Sequence, residues 1–272
     1  MTNETATSRI TSDLRKQIQD GELGPGALLP SEPELAREYA VSRQTARTAL
    51  QTLEQEGLIT VRARRGRIVR IPPRRAVRSS DRQQQEKDRA ILSERERKEM
   101  GEAETNFGMS IADQQFTATY DIINANEELA KALSVDSGTP LLRRKWVSTD
   151  PKTDRLLSSS VSYIPKSLVE SNPALLDEKN EPWPGGTMHQ LSTVGIEIMR
   201  IVDEVTARMP TSAEAQAWDM PSGIPLLICR RISFDADGHT IEISDAEYPA
   251  DRAELRFITP LKPWPTPPER TN

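Results

Sequence analysis

Residues 58–75 hold seven arginines (Arg62, Arg64, Arg65, Arg67, Arg70, Arg74 and Arg75) and no acid. Guanidinium groups at that density suit phosphate oxygens, which they meet through charge-assisted and often paired hydrogen bonds. A solvated loop is the plainer account of such a run taken alone. Just upstream lie Arg43, Gln44 and Arg47. Arginine can bind guanine with two donors, and glutamine can bind adenine with a donor and an acceptor. A second group of polar residues lies far downstream. Alternation along extended segments puts Arg143 with Lys145, Ser160 with Ser162, Arg200, Glu204, Thr206 and Arg208 together, and Glu242 with Ser244 and Tyr248. A solvent-facing sheet accounts for each set singly. Together they supply cations, hydroxyls and a carboxylate, which suits a small anionic or sugar-like ligand.

The first group needs helices and a hairpin to position it. Ile10, Leu14 and Ile18 recur every four residues and predict a helix over 8–20, ended by Gly21, Gly24, Pro25 and Gly26. Ser31 and Glu34 form a capping-box pattern that opens a second helix. Ser42 can cap a third, over 43–56, with Ala46, Ala49, Leu50 and Leu53 inward and Arg43, Gln44, Arg47, Thr48 and Gln51 outward. Two short extended runs, 58–62 and 67–71, flank an arginine-rich turn containing Gly66. Helix, helix, turn, helix, hairpin is the order of a winged helix-turn-helix. The third helix would enter the major groove of duplex DNA, and the wing arginines would meet phosphates or the narrow minor groove.

These residues also resemble a known family. The stretch 26–32 (Gly-Ala-Leu-Leu-Pro-Ser-Glu), Leu35-Ala36, 41–47 (Val-Ser-Arg-Gln-Thr-Ala-Arg), Ala49-Leu50, Leu53, 56–59 (Glu-Gly-Leu-Ile) and Gly66 is similar to the GntR family of bacterial repressors. The resemblance covers about 65 residues. It implies DNA contacts at Ser42, Arg43, Thr45 and Arg47, with Gly66 at the wing tip. One position departs: Pro33 stands where the family often has an arginine.

Charge distribution agrees. The chain of 272 residues has a net charge of −5. Residues 1–72 carry 11 Lys/Arg and 9 Asp/Glu, a net of +2, so the remainder carries −7. No apolar run approaches the roughly 18–20 residues that span a bilayer, and no secretory signal opens the chain, so a cytoplasmic protein without a membrane partner is expected. One cysteine, Cys229, excludes an internal disulfide, and with His189 and His239 fifty residues apart it argues against a zinc cluster. No cofactor is expected.

The expected organisation is a DNA-binding domain over 1–72, a charged linker over 73–113, a second domain over 114–262 and a Pro-rich tail over 263–272. The linker lacks a sustained apolar face and reads as mobile and partly helical, with a coiled coil as the lesser alternative. The second domain contains a repeat. Residues 137–142 (Ser-Gly-Thr-Pro-Leu-Leu) recur at 222–227 (Ser-Gly-Ile-Pro-Leu-Leu), an offset of 85 that also carries Tyr163 onto Tyr248. Each half reads strand, helix, strand, strand, and 255–261 adds a last strand. Asp237-Gly238 supplies a tight turn between 226–235 and 240–248. This is an α+β domain with a mainly antiparallel sheet.

Residues 115–262 resemble the UTRA effector domain of the HutC subgroup of that family, which shares its fold with chorismate lyase. The residues that carry it are the two Gly-x-Pro-Leu-Leu strands, 162–165 (Ser-Tyr-Ile-Pro), Ala207-Arg208, and Glu242 followed by Tyr248. The resemblance implies effector contacts from Arg143, Lys145, Thr187, Glu242 and Tyr248, to which the alternation adds Ser160, Ser162 and Arg208. Lys145 departs from the usual arginine and offers a point charge in place of a planar fork. The whole implies a homodimeric repressor on an inverted-repeat operator, controlled by a small molecule such as a sugar phosphate or carboxylate. The alternatives are a lyase fused to a winged helix, for which no nucleophile–base pair is legible, and a repressor with a vestigial pocket.

Overall fold

A computed structural model describes residues 5–62, 64–73, 75–103, 105–106, 109–110, 115–151 and 155–261. The expected tail over 263–272 lies outside them, as does Arg74. Helix α1 (Ala6–Gln19) starts where the Thr5 hydroxyl accepts the Ser8 amide at 3.1 Å. α2 (Glu32–Glu38) carries the reciprocal Ser31/Glu34 capping box, and α3 (Arg43–Gln55) is capped by Ser42, whose Oγ accepts the Thr45 amide at 3.1 Å. Ile10, Leu14, Leu35, Ala46, Ala49, Leu50 and Leu53 interlock in one core. Full burial of each Leu or Ile there contributes about 1.5–3 kcal/mol. Strands β1 (Ile59–Arg62) and β2 (Gly66–Val69) pair antiparallel, and their Ile59 and Val69 close the same core.

The next segment is not a free connector. It forms β3 (Ala76–Ser79), α4 (Arg82–Ala90), α5 (Glu94–Ala103) and the two-residue strands β4 (Thr105–Asn106) and β5 (Met109–Ser110). α4 packs against a later helix, and Lys87 Nζ donates to the Ile198 carbonyl at 2.9 Å. The partial helicity expected of this segment is present in α4 and α5, and polar anchoring of this kind leaves no apolar stripe in the sequence.

Then come β6 (Gln115–Asn124), α6 (Glu127–Leu133), β7 (Pro140–Asp150), β8 (Arg155–Pro165), α7 (Lys166–Val169), two short 3-10 turns, α8 (Gly186–Ser192), β9 (Arg200–Arg208), α9 (Ser212–Ala217), β10 (Leu226–Phe234), β11 (Thr240–Pro249) and β12 (Ala253–Arg256). Six strands make one antiparallel sheet in the order β6-β7-β8-β11-β10-β9. The internal repeat is therefore a pseudo-twofold: β6-α6-β7-β8 and β9-α9-β10-β11 meet at the β8–β11 pair. One sheet face packs Leu141 and Ile243 under α6, and the other packs Leu142, Ile164 and Ile241 under α7 and α8. Ile241 and Ile243 thus part company, against simple alternation. The β10–β11 ladder steps from Ser233↔Glu242 to Phe234↔Thr240, so Ile241 is an extra residue and turns over. The expected last strand is shorter and earlier: β12 pairs parallel with β3 in a separate two-stranded ribbon. No helix among the described residues is long and apolar enough to cross a membrane.

Candidate nucleic-acid interface and ligand cavity

The outward face of α3 is assembled as its periodicity implies. Arg43, Gln44, Arg47, Thr48 and Gln51 are exposed, while Ser42 and Thr45 are tied together by the cap, their hydroxyls 2.8 Å apart. Beside it the wing turn pairs Arg62 with Gly66 and holds Arg64 and Arg65 in solvent. One participant has no sequence signal. Glu32 receives Arg47 Nε at 3.1 Å and Arg67 NH1 at 3.0 Å, from 15 and 35 residues away. Arg47 first, then Arg67, hold its carboxyl below the usual range against a burial effect of opposite sign. A carboxylate therefore occupies the gap between helix and wing that a phosphate oxygen would suit.

A cavity of about 940 Å³ lies on the α8 side of the sheet. Its floor includes Ser160, Asp203, Cys229, Arg231, Ser244 and Tyr248, and its cover comes from β3, α4, α5, β12 and the turn into α8. Arg231 bonds Asp203 at 2.8 and 3.1 Å and donates to Gln83 Oε1 at 2.9 Å, tying floor to cover. Arg78 stacks over the Tyr248 ring at 4.8 Å. Glu86 accepts the Met188 amide at 3.2 Å. Burial pushes the Glu86 carboxyl up, with the Met188 amide and then Arg231 pulling it back. Gly186 admits this carboxylate, since a Cβ there would lie 2.7 Å from Glu86 Oε1. Seven basic and three acidic side chains line the space, which gives its wall a net positive charge.

The eight residues expected to meet a ligand separate into three groups. Ser160, Thr187 and Tyr248 line the cavity. Ser162 and Glu242 share that sheet face but are buried behind it, consumed by Arg144. Arg144 Nε donates to Ser162 Oγ at 3.0 Å, NH1 to Gln190 Oε1 at 2.6 Å and NH2 to Glu242 Oε1 at 2.5 Å. Gln190 in turn donates to Glu181, which also accepts the Tyr120 hydroxyl; burial raises the pKa of that phenol. Arg143, Lys145 and Arg208 lie away from this cavity. The register Arg144↔Ser162 and Ser162↔Ser244 puts Arg144 on the cavity face, so Arg143 and Lys145 point the opposite way. Arg143 pairs there with Asp121, Lys145 is exposed, and Arg208 binds Glu214 and Glu247. Sequence reasoning also missed the covering side chains, because it took their segment for a linker.

Two family models match the chain: bacterial regulatory proteins of the gntR family over residues 6–69, and the UTRA domain over residues 154–254. An HTH-type transcriptional regulator of Rhizobium meliloti is 28% identical, covering 92% of this chain and 93% of its own length. The HTH-type transcriptional repressor NagR of Bacillus subtilis is 28% identical, covering 90% of each chain. The HTH-type transcriptional repressor PhnF of Mycolicibacterium smegmatis is 25% identical over 87% of this chain and 86% of its own. A crystal structure of a candidate GntR-family transcriptional regulator superposes with a TM-score of 0.66 at 25% identity, covering 95% of this chain and 99% of its own. With a winged helix-turn-helix at one end and the UTRA sheet at the other, the chain belongs to the GntR family of bacterial regulatory proteins, in its HutC-type arrangement, and is a DNA-binding transcriptional regulator.

Proposed function

We propose that the protein is a repressor that binds an inverted-repeat operator as a homodimer and releases or tightens its grip in response to a small anionic effector, a sugar phosphate or a carboxylate. The observation that carries the reading is local. A chain of net charge −5 presents an exposed Arg43/Gln44/Arg47 face beside exposed wing arginines. Arg43, Gln44 and Arg47 read base edges, with Ser42 and Thr45 holding the helix start. Arg62, Arg64, Arg65 and Arg67 meet the backbone, with Gly66 closing the wing. Helix-turn-helix dimers place half-sites about 34 Å apart, which suits an inverted repeat. The effector lies against Ser160, Thr187 and Tyr248 and shifts the protein's states only by binding one arrangement better. Such a role puts the protein in the cytoplasm, where its operator is.

The test is Arg47→Ala in the full chain. Affinity for a duplex from its own promoter region falls about ten- to hundred-fold by fluorescence anisotropy. Calorimetry with phosphorylated sugars and carboxylates gives the same heats as the native protein. A folded variant that loses both activities overturns the reading, as does a native dimer with no salt-sensitive preference for any duplex.

A further inference from the structure

Two strands run side by side from the cavity toward the wing. β3 and β12 pair parallel, Val77 opposite Glu254 and Ser79 opposite Arg256, and Arg78, Ser79, Leu255 and Arg256 form part of the cavity wall. Followed backward along the chain, β3 leads to Arg70, the first residue after β2, and β12 leads to Asp251. Arg70 and Asp251 are hydrogen-bonded to each other across 181 residues of sequence, with side chains only 14% and 6% exposed. Arg252 fixes the turn that carries the aspartate, donating to the Trp218 and Asp219 carbonyls at 2.5 Å each. Next to this pair the two halves of the chain touch directly. Gly223 sits on the end of α3, where a Cβ would lie 2.0 Å from the Gln55 carbonyl oxygen, and Gly57 lies against Ile224.

The geometry points to Arg70 and Asp251 as positioning residues for DNA binding: the pair fastens the wing to the β3–β12 ribbon, so one element sets both where the wing sits and how wide the cavity is. A carboxylate as buried as Asp251 needs a cation; Arg70, just past the wing strand, supplies the hydrogen-bonded one, while Arg252 Nε lies 3.7 Å from the other oxygen. An arginine committed to that pair is withdrawn from the run available to phosphates. The other end of the ribbon is equally committed. Arg78 stacks on Tyr248, and the cavity that both line also holds the thiol of Cys229, the only cysteine in the chain. That thiol therefore reports on the ribbon from inside the cavity.

The inference rests on the reading that the wing meets DNA and the cavity takes a ligand, and the experiment separates the two. Arg70→Met, Arg70→Lys and Asp251→Asn are made in the full chain. Three quantities are measured: the rate at which iodoacetamide modifies Cys229, amide hydrogen exchange along the chain, and affinity with its salt dependence for duplexes that the native protein enriches from a random pool. In Arg70→Met and Asp251→Asn, Cys229 modification and exchange at 76–79, 253–256 and the wing strands rise about fivefold or more, while α1 and β7 keep their protection. Arg70→Lys returns most of the native values. DNA affinity falls about tenfold, the ordinary scale of coupling between sites, with the salt slope unchanged because no phosphate contact is lost. Unchanged Cys229 and ribbon exchange overturn the inference. So does a salt slope reduced by about one with the ribbon still protected, which makes Arg70 a phosphate contact. Should Arg70→Met loosen α1 and β7 too, Arg70→Lys and Asp251→Asn decide, and uniform exchange in both overturns the fastening. If the native protein enriches no duplex, the DNA reading fails, while Cys229 and the ribbon amides still decide whether the pair fastens the wing.

Discussion

Arg143 and Arg144 are neighbours in sequence with opposite fates, and their replacement separates them sharply. The Arg144 guanidinium is 2% exposed and its partner Glu242 7%. Arg144→Met leaves that carboxylate buried without its cation, which costs about 3–5 kcal/mol. It also strands acceptors on Ser162 and Gln190. Arg143 pairs with Asp121 at 28% and 41% exposure, where solvent screens the charges, so Arg143→Met costs only about 0–1 kcal/mol. In a domain of this size, about 4 kcal/mol lowers the melting temperature by about 8–16 °C.

The double variant Arg144→Met/Glu242→Met sharpens the test. If the pair were independent, two losses of about 4 kcal/mol would add to about 8. Removing both charges instead leaves only two neutral acceptors unmet, and the loss is about 2–4 kcal/mol. Urea unfolding followed by tryptophan emission reads the native protein, Arg143→Met, Arg144→Met, Glu242→Met and the double variant. An Arg144→Met loss below about 1 kcal/mol, the level of a surface pair, refutes the buried network. Full additivity refutes the coupling.

Glu32→Gln removes the carboxylate that competes for Arg47 and Arg67. Anisotropy then shows tighter, less selective DNA binding with a salt slope steeper by about one, whereas weaker binding means that Glu32 holds Arg47 in its reading pose. The Glu214 carboxyl is held down to about 2 by Arg208 and the Thr211 cap, below its ordinary 4.5. That stabilisation is complete above the ordinary value and disappears as pH falls toward about 2, so urea midpoints of Glu214→Gln approach those of the native protein between pH 5 and 3; a constant gap refutes the assignment. Gly223→Ala, at φ +77 and against the Gln55 carbonyl, separates the two halves of the chain, seen as a lowered melting temperature together with faster exchange in the last turn of α3; native values for both remove the contact.

The head was legible because its signals are short-range. Ser31, Glu34 and Ser42 cap within three residues, and Ile10, Leu14, Leu50 and Leu53 repeat at helical spacing. The strand, helix, strand, strand content of each half was legible from the 85-residue repeat, whereas the pairing that joins the halves, β8 with β11, rests on contacts about 80 residues apart that carry no local signal. The cavity's cover was not, because α4 is held by single polar anchors such as Lys87 and Glu86 whose partners lie more than a hundred residues away.

The cavity residues show where alternation stops being informative. Period-two patterning says which side chains travel together, not which face is covered, and a shift of one residue exchanges the faces. At 143–145, Arg-Arg-Lys offers cations on both faces, so charge cannot choose between them. What chooses is pairing at distances of 18, 46 and 98 residues, to Ser162, Gln190 and Glu242, which turns the middle arginine inward and leaves its neighbours to solvent and Asp121. The inward arginine satisfies those polar groups behind the cavity, and most of the basic side chains that line the cavity belong to β3, α4 and α5. A ligand held by that covering segment would touch β3, the strand that follows Arg70 and the wing in the chain.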